Sequence, residues 1–299
     1  PELNAIASVL TRRKPDPLPP IRPVWEFQAE GALVGRYEDY KARLGVPWVG
    51  VVTLAYAHYR NFYDTWWAGL APLAATDAYQ SAAEAMRQRI EAKADQLTPA
   101  PIAARLRAAG YSERELDEIR GAIEVLSHGN FAQMPAVFLA RLALEGHVPD
   151  GSGEKPVTPP TPSGPPSSAP AFVLVEPHHA LSDQQAIYDD IKATIGLPFV
   201  NTDYRYLARW PSYFAAAWSD LKPHISTATY EDLAQAAHDD MVATPLSLPN
   251  IGGLNAELLQ AAAAQDGDLA ECRAVTELFT WLLPGLMLNV AYFRRQLID

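Results

Sequence analysis

Shifting this chain by 151 residues lays it upon itself, and that self-match limits the folds open to it more than any other feature. Tyr37-Glu38-Asp39-Tyr40-Lys41 falls on Tyr188-Asp189-Asp190-Ile191-Lys192. Leu44-Gly45-Val46-Pro47-Trp48-Val49 then falls without a gap on Ile195-Gly196-Leu197-Pro198-Phe199-Val200. Trp67, Leu70, Pro72, Thr76 and Tyr79 continue onto Trp218, Leu221, Pro223, Thr227 and Tyr230. A match of this length predicts one folding unit duplicated, each copy needing the other to bury its apolar face. Inside the match Val52 becomes Asp203. An acid that takes the place of a core valine in a duplicated scaffold is a functional candidate.

The 299 residues, 48% hydrophobic, suffice for a large core or two fused halves. A net charge of −11 argues against a nucleic-acid partner, which rewards clustered Lys and Arg. The single cysteine, Cys272, rules out a disulfide framework and CxxC redox or zinc-ribbon chemistry, and it suits a reducing cytoplasm. Pro1 to Arg22 does not read as a signal peptide, since no charged region leads into an apolar run. The apolar stretch Val275 to Phe293 is interrupted by Glu277, Pro284 and Asn289, so it reads as a buried core helix or helix pair and not a membrane span.

Four segments follow. Residues 1–30 form a Pro-rich N-terminal arm, 31–148 a first repeat, 149–170 a linker and 171–299 a second repeat. The linker is almost entirely Pro, Gly, Ser and Thr, a composition that cannot pack a core and reads as an extended tether. Periodicity inside the repeats is helical. Ser112-x-x-Glu115 and Ser182-x-x-Gln185 read as capping boxes. Phe172 to Val175 is the only β-like run, too short for a sheet. The expected fold is all-α: two tandem homologous helical repeats forming a pseudo-dimer joined by the Pro-rich linker.

Asn201-Thr202-Asp203 opens a segment that continues Tyr204-Arg205-Tyr206-Leu207. Asn, Thr and Asp all favour helix N-caps, so the acid is expected at a helix entrance, and read locally Asp203 is a capping residue. An ionised carboxylate there could instead deprotonate a water, an effect worth about 10²–10⁴-fold. Such a water needs a second polar group. His128-Gly129-Asn130 breaks an otherwise apolar stretch, and Asn130 both donates and accepts; its plainer reading is a helix C-cap beside glycine.

Asn201-Thr202-Asp203-Tyr204 with Trp210-Pro211, Val46-Pro47-Trp48-Val49 and Gly129-Asn130, in this order and spacing, resemble the group I 2-haloacid dehalogenases. The duplicated helical layout and linker extend the likeness over most of the chain. The resemblance implies that Asp203 is the base and Asn130 its partner, activating a water that displaces halide from C2 with inversion and without an ester intermediate. It implies no metal and no cofactor, and a homodimer. It places Trp48, Val51, Trp281, Asn201, Thr202 and Tyr204 at the substrate. Because the two catalytic groups lie in different repeats, it puts the site at the pseudo-two-fold interface.

Members that accept both enantiomers read Gly-Pro-Ala-Ser-Asp before the aromatic, whereas this chain reads Phe199-Val200-Asn201-Thr202-Asp203. Asn in place of the small Ala is associated in the family with D preference, so the expected substrate is a short D-2-haloalkanoic acid. Two further departures leave the pocket wall open: Phe131-Ala132-Gln133 stands for the family's Pro-Lys-Tyr, and Trp281-Leu282-Leu283-Pro284 for its Tyr-Gln-Arg-Phe. Arg205 and Arg209, one turn apart, read either as partners of a substrate carboxylate or as a solvated face or structural ion pair. The rival functions are a non-stereospecific DL enzyme and a non-catalytic helical module binding small carboxylic acids.

Overall fold

The computed structural model describes residues 9–151 and 169–298. Most of the Pro-rich linker and the first eight residues of the arm therefore lie outside the described residues. Among those described there is no strand; the fold is all-α, as expected. The helices are α1 (Ala32–Leu44), α2 (Val51–Tyr56), α3 (Arg60–Ala74), α4 (Asp77–Ala94), α5 (Ala103–Ala108) and α6 (Glu113–Leu144). They continue as α7 (Ser182–Ile195), α8 (Thr202–Leu207), α9 (Pro211–Ile225), α10 (Ala228–Leu246), α11 (Ala256–Gln265) and α12 (Leu269–Arg295).

Helix ends follow local chemistry. The expected box at Ser112 forms: the Ser112 amide donates to Glu115 Oε2 at 2.7 Å and the Glu115 amide to Ser112 Oγ at 3.2 Å. The box expected at Ser182 does not form; one half of such a box exists one residue earlier, where the N-cap Leu181 has no side-chain acceptor. There the Leu181 amide donates to Gln184 Oε1 at 2.8 Å, and Gln185 instead reaches back to the Ala180 carbonyl at 3.0 Å. Gly45 and Gly196 close α1 and α7 in left-handed geometry, with φ 67° and 77°, a conformation that costs other residues a Cβ clash.

Among the described residues two compact units emerge, and each draws on both halves of the sequence: residues 9–88, 129–151 and 235–285 in the first, and 89–128, 169–234 and 286–298 in the second. In the first unit α1 and α2 pack on α3, and α3 packs on α11. The core there is aromatic: Tyr40, Tyr56, Tyr63, Trp66 and Trp67 are essentially fully buried, and rings such as Tyr56 and Trp66 meet edge to face at 5.5 Å. Gly69 on α3 lies so close to Leu254 that an added Cβ would sit 3.0 Å from its Cα. In the second unit α7 and α8 pack on α9.

Specific hydrogen bonds recur at the offset of the sequence match. Tyr37 donates to the Val24 carbonyl at 2.7 Å, and Tyr188 to the Val175 carbonyl at 2.7 Å. Trp67 Nε1 donates to Asp39 Oδ2 at 2.8 Å, and Trp218 Nε1 to Asp190 Oδ2 at 2.8 Å. The Val24 amide reaches the Leu54 carbonyl, and the Val175 amide the Arg205 carbonyl.

Helix α12 is long and apolar enough to cross a membrane by length and composition, yet 78% of its most apolar window is buried within the protein. That burial is what the interruptions at Glu277, Pro284 and Asn289 led one to expect of a core helix. Residues 9–25 run along its first half. Arg12 donates to the Trp281 carbonyl at 3.1 Å, Arg13 pairs with Glu277 at 3.1 Å, and Arg22 pairs with Glu271.

Candidate active site

Asp203 is the second residue of α8 and only 3% exposed. The expectation of a helix entrance holds, with one refinement: the capping position belongs to Asn201, whose side chain makes no capping bond. Asp203 lies just inside the first turn, where its charge meets the partial positive end of the helix. Its neighbour Tyr204 is fully buried, and burial pushes the phenol well above its usual range, so it stays neutral. Asn289 on α12 donates to the Tyr204 hydroxyl at 2.8 Å and accepts from Tyr230 at 2.8 Å. Tyr204 therefore spends its hydroxyl on a core network.

Arg205 resolves in favour of a structural pair. Its side chain is 7% exposed and Nη1 contacts both oxygens of Glu176, at 3.0 and 2.9 Å. Nη2 donates to Thr202 Oγ1 at 3.3 Å. The matching positions in the first half are Leu54 and Trp25, so an apolar pair stands where this ion pair does. Asn201, Thr202, Asp203 and Tyr204 thus lie on one turn in the second unit, hydrogen-bonded to its surroundings through Thr202 and Tyr204.

The other predicted residues fall in the first unit. Asn130 lies inside α6 and is 8% exposed, so it is not a helix C-cap. Trp48 is buried in the loop between α1 and α2, with its indole pressed on the α6 backbone: a Cβ at Gly129 would lie 2.2 Å from Trp48 Cη2. Trp48 and the Gly129-Asn130 turn are therefore brought together. Val51 opens α2 and is partly exposed. Trp281 is partly exposed on α12, where Arg12 and Lys14 of the arm lie over its ring at 5.6 and 5.1 Å from the centroid.

Sequence reasoning missed Gln133. It is 1% exposed, and its Oε1 accepts from the Gly50 amide and from Tyr40, each at 2.9 Å. Its only signal was a carboxamide inside the apolar run of α6, the same signal that Asn289 gives in α12.

No protein-family profile matches the chain. Individual relatives do. An (R)-2-haloacid dehalogenase of Rhizobium sp. (strain NHG3) is 43% identical over 251 residues, 84% of this chain and 96% of that protein. Another, from Pseudomonas putida, is 36% identical over 296 residues, 92% of each chain. A solved complex of D-2-haloacid dehalogenase with L-LA superposes with a TM-score of 0.86 at 34% identity, covering 97% of this chain and 100% of that one. A mutant of D-2-haloacid dehalogenase with D-2-CPA superposes with a TM-score of 0.85, also at 34% identity, over 97% and 99%. Likeness over whole chains defines the class, a hydrolase acting on carbon–halide bonds. The chain belongs to the 2-haloacid dehalogenase family.

Proposed function

We propose that this protein hydrolyses short-chain 2-haloalkanoic acids, D enantiomer preferred, to the 2-hydroxy acid of inverted configuration. Similarity to the Rhizobium (R)-2-haloacid dehalogenase over nearly its full length carries the reading. A more distant relative, 28% identical, from Pseudomonas sp. (strain 113), is a 2-haloacid dehalogenase described as configuration-inverting.

In the proposed mechanism Asp203 is the general base and Asn130 orients the attacking water. The water oxygen bonds to C2 as its proton passes to the Asp203 carboxylate, and the C–X electron pair leaves with the halide. No ester forms, because the nucleophile is water. In-line displacement demands that water and halide stand on opposite faces of C2, which a seated indole such as Trp48 helps to enforce. Burial supports this role for Asp203: at 3% exposure its side chain is kept from bulk water, as a site for one bound water requires. Asn201, Thr202, Tyr204, Val51 and Trp281 are assigned to the surroundings of the substrate, Tyr204 through its ring. The reaction in this form uses water and these side chains, with no metal or cofactor.

The same reading takes the chain as two tandem repeats, 31–148 and 171–299, arranged as a pseudo-dimer, with an arm before the first and a Pro-rich linker at 149–170. The hydrogen bonds that recur between the two halves support it. It further takes the protein as cytoplasmic and homodimeric, engaging neither membrane nor nucleic acid.

Halide release from D- and L-2-chloropropionate, supplied separately to purified protein, tests the function. Release from D alone, with L-lactate formed, is expected; Asp203→Asn abolishes it and Asn130→Ala lowers it at least about tenfold. Wild-type turnover in Asp203→Asn would sink the mechanism. Release from both enantiomers would leave the chemistry and remove the stereochemical assignment.

A further inference from the structure

We infer that Gln133 is a positioning residue for this reaction, the buckle that holds the Trp48 segment against the turn of α6 that carries Asn130. The inference rests on the functional reading above, which gives Trp48 and Asn130 their roles.

Three bonds converge on the Gln133 carboxamide. Oε1 accepts from the Gly50 amide at 2.9 Å and from the Tyr40 hydroxyl at 2.9 Å. Nε2 donates to the Gly129 carbonyl at 3.2 Å, one turn back on α6. Burial pushes the Tyr40 phenol well above its usual range, so it keeps its proton and acts as a donor. Since that proton goes to Gln133, Thr53 Oγ1 must donate the 2.9 Å bond that it shares with Tyr40. Direction is thereby fixed along the chain Thr53, Tyr40, Gln133, Gly129.

These partners lie where the proposed chemistry needs precision. Gly50 is two residues after Trp48 and caps α2, which Val51 opens. Gly129 is one residue before Asn130. Both are glycine for the same reason, a close approach. A Cβ at Gly50 would lie 2.8 Å from Gln133 Oε1, and one at Gly129 would lie 2.2 Å from the Trp48 ring. The Trp48 loop is clasped twice, by its indole on Gly129 and by its backbone on Gln133. An apolar residue at 133 would leave the half-buried Gly50 amide without its acceptor, which favours movement of the loop toward another partner or water. A shift of about 1 Å in a positioning element can cost on the order of 10²-fold in rate.

Two substitutions separate positioning from mere packing. Gln133→Met keeps length and flexibility and removes the acceptor, whereas Gln133→Glu, in its protonated form, keeps an accepting oxygen for Gly50 and Tyr40 and an O–H for the Gly129 carbonyl. Expected for folded Gln133→Met is a fall in kcat of about 10- to 100-fold, with a smaller change in KM. Gln133→Glu recovers most of that loss. Wild-type kcat in Gln133→Met, accompanied only by a lower Tm, would overturn the inference. If Gln133→Met does not fold, Tyr40→Phe removes one of the two bonds on Oε1 and keeps the ring; unchanged kcat there has the same meaning. Amide exchange at Gly50 supplies a reading independent of turnover. Protection is expected to drop at least about tenfold in Gln133→Met or, for the fallback, measurably in Tyr40→Phe. Should wild-type protein release no halide, the functional reading falls alone. Unchanged Gly50 exchange in the variant would then overturn the clasp itself.

Discussion

Asn201 is the residue to which the proposed D preference is assigned, and its setting makes that assignment testable. An Asn at an N-cap ordinarily contributes about 1 kcal/mol through a bond to the helix amides. Here that bond is not made, so the side chain is available for another task and its loss should cost little stability. Asn201→Ala is therefore expected to open halide release from L-2-chloropropionate with less than about 1 kcal/mol of destabilisation. Persistent exclusion of the L form in the variant would remove Asn201 from the account of selectivity. Asp203 stood out in the sequence as a candidate because Val52 stands at the matching place in the first half. Arg205 was not, since an i, i+4 pair of arginines looks alike whether it faces a substrate or a structural partner such as Glu176.

Helix α6 shows what the sequence could not supply at the scale of an element. Its start was readable from Ser112 and Glu115, because a capping box is a local bond pattern. Asn130 beside a glycine looked like a helix end, yet the helix runs on to Leu144. Gly129 is there for space: the Trp48 indole takes the volume of its Cβ, a reason that exists only in tertiary structure. Gly129→Ala should consequently be unfavourable although Ala is the better helix former by about 1 kcal/mol. Overpacking at such a contact costs about 1–3 kcal/mol. A lower urea midpoint for Gly129→Ala is expected, whereas a higher one would mean that Trp48 yields without strain.

For the whole molecule, the all-helical fold was legible in sequence, and the division of the chain into compact units was not. A repeat is read along the chain. A unit is defined by which segments pack together, and here each unit takes segments from both halves. The paired bonds Trp67–Asp39 and Trp218–Asp190 offer a measurement at this scale. The Lys222 ammonium, followed by the Trp218 N–H, holds the Asp190 carboxyl below its ordinary range, while Asp39 pairs with a cation from a different position, Arg43, one turn on in its own helix. Asp39→Ala and Asp190→Ala should each cost about 1–2 kcal/mol, and the double variant about their sum, since the two sites share no partner. Widely unequal losses in chemical denaturation would show that the recurring bonds carry different loads.

Those recurring bonds make the chain its own control. If the halves are repeats, as proposed above, each position in the matched stretch has its counterpart written in the other half of the same molecule. Val52 and Asp203, Gly50 and Asn201, and Leu54 and Arg205 are three such pairs. Exchanging the members of a pair within one molecule conserves composition while moving the chemistry from one setting to the other. Variants of that kind ask where an acid must stand to be useful, a question that substitution by a foreign side chain leaves mixed with the loss of the acid itself.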